Sequence, residues 1–204
     1  MTLLAASTEA RGNDKHTRFM ALLEPCLARL SRYCHAMTKD VESGRDLLSD
    51  AILLAYENFE KLRAPDAFTS YIFTTARRLF YRRERRKKFW GVFGSEAEAI
   101  VDEREPSPEM RIDLEALDRA LAKLSEKQRE AVILFEISGL SLAEIREVQG
   151  GSLSGVKSRI VRGREKLAEL LGERQGLRGE GATHHARHTS FERSQVAYLM
   201  REKL

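Results

Sequence analysis

Leu124 to Leu171 reads LSEKQREAVILFEISGLSLAEIREVQGGSLSGVKSRIVRGREKLAELL. Three short helices account for its spacing. Ser125 opens the first, with Gln128 three residues on, which is the capping-box relation. Gly139 is positioned to stop it. Ser141 opens the second, with Glu144 in the same relation, and Leu142, Ile145 and Val148 form its apolar stripe. Gly150 and Gly151 allow a tight turn. Ser152 or Ser154 caps a third helix with apolar residues at Val156, Ile160, Leu167 and Leu170. Two helices joined by a glycine-containing turn, the second rich in cations, form the helix-turn-helix pattern.

The third helix has two unlike faces. At about 100° per residue, Val156, Ile160, Gly163 and Leu167 point inward. Ser154, Ser158, Val161, Arg162 and Glu165 point outward, with Lys157 and Arg164 on one flank and Arg159 and Lys166 on the other. Small polar groups thus fall where base edges would lie, and cations where phosphates would pass. Taken alone, this helix also suits an ordinary solvated surface. The two capping boxes and the glycine turn favour DNA binding.

The stretch is similar to domain 4 of bacterial extracytoplasmic-function (ECF) sigma factors. The residues that carry the likeness are Leu124, Gln128-Arg129-Glu130, Gly139-Leu140-Ser141, Glu144-Ile145, and Val156-Lys157-Ser158-Arg159 followed by Arg162, Arg164, Glu165, Lys166 and Leu167. The resemblance implies a duplex-reading unit for the minus-thirty-five promoter element. Ser154, Lys157, Ser158 and Arg162 would read the duplex, and Arg159 and Arg164 would meet phosphates. Ser125, Arg146, Gly151 and Ser154-Gly155 depart from the family pattern.

The composition agrees with a helical protein. Of 204 residues, 42% are hydrophobic and 32% charged, only four are proline, and β-branched alternation is scarce, which points to an all-α fold. Net charge is +4 and unevenly spread, so local patterning matters more than the total. No apolar run approaches the roughly 20 residues that cross a bilayer, and the leading segment has no secretory core; the expectation is a cytoplasmic protein without membrane insertion. Cys26 and Cys34 lie about two turns apart, too far for an easy disulfide, and read as buried thiols without a redox role.

Upstream, residues 1–16 are polar and aperiodic and are expected to be flexible. A helical pattern runs from Thr17 through Phe19, Leu22, Leu23, Cys26, Leu27, Leu30, Tyr33, Cys34 and Met37, with a kink or break expected near Glu24 because of Pro25. Ser43 is the expected cap of the next helix, which carries Leu47, Leu48, Ala51, Ile52, Ala55, Tyr56 and Phe59. Ala64-Pro65-Asp66 marks a turn, with Asp66 as cap of a third helix. That helix ends in ARRLFYRRERRKK, Ala76 to Lys88, where eight cations and two aromatic rings stand against one acid. Cations favour a helix C-terminus, but eight exceed what that effect requires. Basic residues interleaved with rings suit a single strand: cations track phosphates and rings stack on bases.

This block resembles domain 2 of the same family. Asp46 to Phe59, DLLSDAILLAYENF, is similar to the helix that binds the polymerase clamp, which implies contacts from Asp46, Leu47, Ser49 and Asp50. Phe68 through Arg86 is similar to the helix that melts and reads the minus-ten element, and its basic and aromatic pattern puts Arg77, Arg78, Tyr81, Arg82 and Arg85 on the strand as it opens.

The expected organisation is a flexible N-terminus (1–16), a first domain (17–90), an acidic linker (91–107), a second domain (108–171) opened by Pro108, and an extension (172–204) of unassigned role. Leu114, Leu117, Leu121 and Leu124 recur at helical spacing and close the second domain. In the extension, His184 and His188 have the spacing of a helical metal pair with His185 between them. No carboxylate or thiol stands beside them and Gly181 weakens a helix there, so no metal is expected.

Two functions fit. One is a sigma factor that binds core RNA polymerase and promoter DNA; the resemblance adds an anti-sigma factor as a further partner. The other is a stand-alone helix-turn-helix regulator whose first domain senses or dimerises. The chain shows no phosphate loop, nucleophile motif or paired carboxylates, so no enzyme, small-molecule substrate or cofactor is expected.

Overall fold

The computed structural model describes residues 2–38, 40–62, 64–89 and 108–176, and every regular element among them is helical. α1 spans Thr2–Met37, α2 Val41–Glu57 and α3 Phe68–Phe89. α4 spans Pro108–Ala122 and α5 Glu126–Val132, prolonged by a π-helical stretch, Ile133–Ile137; α6 spans Leu142–Gln149 and α7 Leu153–Gly176. The acidic linker, residues 91–107, and the histidines at 184, 185 and 188 lie outside the described residues.

α1 begins earlier than its apolar pattern does. Residues 2–16, expected to be flexible, are helical. Extending an existing helix by one residue is far easier than nucleating one, and Leu, Ala, Glu and Arg extend it well. α1 also runs through Pro25 without a break. One turn is short of a donor there, and the Cys26 thiol donates weakly to the Leu22 and Leu23 carbonyls nearby. The cap of α2 is Asp40 rather than Ser43: its Oδ1 accepts from the Ser43 N–H at 2.7 Å. A carboxylate at that position satisfies an orphan donor and faces the positive end of the helix dipole.

Helices α1 to α3 close on an aromatic core. Phe19 meets Tyr56, Phe59 and Phe68 edge-on at centroid distances of 5.1, 5.4 and 5.5 Å, the geometry ring quadrupoles prefer. α2 approaches α1 closely through Gly44, where an added Cβ would lie 2.7 Å from the His35 ring. The turn before α3 is a 3-10 turn, Pro65–Ala67, so Asp66 lies inside it and does not cap the helix from ahead.

The second group follows its short-range signals. Ser125 with Gln128 and Ser141 with Glu144 form complete capping boxes. Gly139, Gly150 and Gly151 have φ of +64°, +76° and +95°, the left-handed region that glycine enters without steric cost. Ser152 caps α7 by accepting from the Gly155 N–H at 3.1 Å. Val156, Ile160, Gly163 and Leu167 are buried, as the helical wheel predicts, and so are Leu117, Leu121 and Leu124. α7 continues through Gly176, beyond the expected end at Leu171.

The two groups pack on one another. α3 lies against α6, and α1 against the π-helical end of α5. A helix end leaves its last carbonyls without partners. Here Arg29 donates to the Ser138 and Gly139 carbonyls at 2.9 and 3.0 Å, and Arg32 to the Ile137 carbonyl at 3.0 Å. Cations at that end are also favoured by the helix dipole.

Candidate nucleic-acid interface

The outward face of α7 carries Ser154, Lys157, Val161, Arg162 and Glu165, all exposed; Ser158 is half-buried. Among the described residues, Lys157 and Arg162 make no intramolecular hydrogen bond or ion pair. The two cations expected on phosphates are used differently. Arg159 donates to the Gln149 side-chain oxygen at 2.6 Å and to the Gly150 carbonyl at 3.2 Å. Arg164 pairs with Glu136 and lies over the Phe135 ring. Both arginines therefore brace the helix-turn-helix, one across its turn and the other across its base.

The basic end of α3 is divided in the same way. Arg78, Arg82 and Arg85 lie on one solvent-facing stripe with Phe89, which is 87% exposed. Arg77 and Tyr81 turn instead toward α5. The Arg77 guanidinium contacts Glu130 at 2.9 Å and stacks over the Tyr81 ring at 5.0 Å. Burial disfavours the charge on Arg77, but the Glu130 carboxylate outweighs burial and its pKa goes up. Burial and the same carboxylate push the Tyr81 phenol up to about 12. Periodicity places a residue on one side of a helix; it does not say what stands opposite.

Glu130 is fully buried and bonded on every side. Tyr33 donates its hydroxyl at 2.9 Å, Arg77 its Nε at 3.0 Å, and Gln149 its Nε2 at 2.8 Å. Burial first, then the carboxylate, raises the Tyr33 pKa well above its ordinary value. The donors come from α1, α3 and α6, so the carboxylate is the hub where both helical groups meet.

The expected polymerase-binding set needs one correction. Asp46, Ser49 and Asp50 are exposed on α2, with Asp50 paired to Arg83 at 2.6 Å. Leu47 is completely buried, because it faces α1 and α3 with Ala51 and Ala55, and it has no surface to offer. The apolar residue on the outward stripe is Leu53, 58% exposed. The sequence reading missed it, although its spacing of four from Ser49 and three from Asp50 puts it on their face.

Cys26 and Cys34 are free and buried. Burial raises the first thiol and pushes the second to about 12, so neither is a ready nucleophile. Among the described residues, no helix is long and apolar enough to cross a membrane, and no cluster of three metal-binding side chains occurs.

Comparison with known proteins points to the same two stretches. The family Sigma-70 region 2 matches residues 22–89, and the family Sigma-70, region 4 matches residues 114–167. The ECF RNA polymerase sigma factor EcfG of Rhodopseudomonas palustris is 29% identical over 144 residues, covering 70% of this chain and 78% of its own. The ECF RNA polymerase sigma factor SigM of Mycobacterium tuberculosis is 31% identical over 144 residues, covering 71% of this chain and 72% of its own. Among solved structures, the sigma factor RpoE of Bartonella quintana, crystallised with the anti-sigma factor NepR, superposes with a TM-score of 0.63 at 26% identity, covering 76% of this chain and 96% of its own.

Proposed function

Because this chain belongs to the ECF RNA polymerase sigma factors, which bind core polymerase and direct initiation at promoters, we propose how its residues divide that work. Residues 17–90 hold the polymerase and the opening strand, and residues 108–171 hold the intact upstream duplex. On α2, Asp46, Ser49, Asp50 and Leu53 meet the polymerase. On α7, Ser154, Lys157, Ser158 and Arg162 face the groove. On α3, Arg78, Arg82 and Arg85 follow the strand's phosphates, and Arg77 and Tyr81 join them once released. Arg159 and Arg164 act on the duplex mainly by holding α7 in place.

One observation carries this reading: two exposed cationic faces of different design, on separate helical groups. A lone regulator of the helix-turn-helix type has use for the α7 face only, and leaves Arg78, Arg82 and Arg85 without a role. An anti-sigma factor is the further partner we propose, because the Bartonella quintana relative was crystallised with one. No catalysis is assigned to the chain.

The test is transcription by reconstituted core polymerase on a random promoter library. With the chain added, transcripts should start downstream of one enriched pair of sequence elements. A chain that fails to co-purify with core polymerase, or enriches no element, overturns the proposal.

A further inference from the structure

Glu130 joins the two helical groups, and its hold on Arg77 bears on strand binding through the proposed reading of Arg77 and Tyr81 as strand contacts. A carboxylate removed from water is tolerated only when it is paired and fully hydrogen-bonded. Glu130 meets that condition only while α1 and α3 lie against α5 and α6. Its partners Tyr33 and Arg77 belong to the first helical group, and Gln149 to the second. Gln149 in turn accepts from Arg159 on α7. A continuous polar chain therefore runs from the duplex-facing helix, through Gln149 and Glu130, to the strand-facing helix. Three further contacts cross the same seam: Arg29 and Arg32 on the carbonyls at the end of α5, Arg29 to Glu144 at 3.5 Å, and Lys88 to Glu126 at 3.6 Å.

We propose that Glu130 latches the free chain in a self-inhibited closed state, in which it occupies Arg77 and holds it over the Tyr81 ring until a nucleic acid displaces it. A guanidinium held against a buried carboxylate cannot also follow a phosphate. Closure and strand binding therefore compete, and whatever factor closure takes from strand affinity, the strand takes from closure. Glu130 acts here as a counter-charge built into the chain. Arg78, Arg82 and Arg85 remain outside the seam and can make the first contact, after which Arg77 and Tyr81 are released.

The test uses the full chain without polymerase. Spin labels on introduced cysteines at exposed positions of the two groups, Glu60→Cys and Glu169→Cys, report the distance between them. Binding of a labelled oligo-dT strand is measured alongside. Glu130→Gln keeps the shape of the side chain and loses the charge facing Arg77. The unsubstituted chain should give one short, narrow distance distribution. Glu130→Gln should broaden and lengthen it, and should bind the strand at least threefold more tightly. Arg29→Gln with Arg32→Gln, which opens the other end of the seam, should act in the same direction. Helix content by circular dichroism separates opening from unfolding, and should either variant unfold, the other carries the test. Distances unchanged in a folded variant, or a broad distribution already in the unsubstituted chain, overturn the latch. Opening without tighter strand binding overturns the inhibition. If the opened chain binds no strand at all, the reading of Arg77 and Tyr81 falls, while the distances still judge the latch.

Discussion

Gly163 of α7 lies so close to Val132 of α5 that a Cβ built on the glycine would stand 2.6 Å from the valine's Cγ2. No real methyl tolerates that approach, so these two helices meet at a distance only glycine allows. Val132 is fully buried and has no room to retreat. Gly163→Ala gains up to about 1 kcal/mol of helix propensity, but overpacking costs about 1–3 kcal/mol. The net expectation is a lower melting temperature. Adding Val132→Ala should recover part of the loss, with a coupling of about 1 kcal/mol in a double-mutant cycle of urea unfolding. Strict additivity would mean that the contact is relaxed elsewhere.

Arg162 and Arg164 are two residues apart on α7 and should fail differently. Arg162→Ala removes an exposed cation, so the folded chain should melt as before. Promoter binding by the polymerase complex should weaken, and the slope of log affinity against log salt should fall by about one. Arg164→Ala leaves Glu136, only 13% exposed, without its partner. Its expected signature is a stability loss of about 1–3 kcal/mol. Salt-titrated binding and thermal melts on both variants check the contrast.

Leu53 and Leu47 make a second contrast, on α2. Leu53→Asp changes a side chain 58% exposed, and should leave the melt almost unmoved while reducing core polymerase binding tenfold or more. Leu47→Asp buries an unpaired charge and should not fold. Co-sedimentation with core polymerase and circular dichroism give both outcomes. Unchanged polymerase binding by Leu53→Asp would remove α2's outward stripe from the proposed contact.

Two capping carboxylates set an acid limit. The Ser43 N–H, more than any other influence, holds Asp40 below the usual carboxylate range. Burial pushes Glu144 up, but its bonds from Ser141 and the charge on Arg29 prevail and bring it down. Because both folded values are depressed, the stability these groups contribute is fully present above the ordinary range near about pH 4. It is lost as pH falls through the depressed values. Asp40→Asn keeps a competent cap and Glu144→Gln keeps the box, so the pair of substitutions should flatten the acid limb of stability against pH. Urea unfolding at a series of pH values measures it.

What the sequence settled by itself was local. Ser125 with Gln128, Ser141 with Glu144 and the Gly150-Gly151 turn depend on partners within a turn or two, and the inward side of Val156, Ile160 and Leu167 follows from the helical period alone. Spacing along the chain is then spacing in space, and the helix-turn-helix was legible for that reason. The side choice on α2 was less so, because apolar residues surround most of that helix, and only packing against α1 and α3 put Leu47 inside and Leu53 out. The fate of Arg77, Arg159 and Arg164 was not legible at all. Arg77 meets a carboxylate 53 residues away, and Tyr33 reaches the same group across 97. Such contacts obey no period, since they arise where separately formed helices happen to press together. Only the tertiary structure decided which arginines face outward and which are held by Glu130, Gln149 and Glu136.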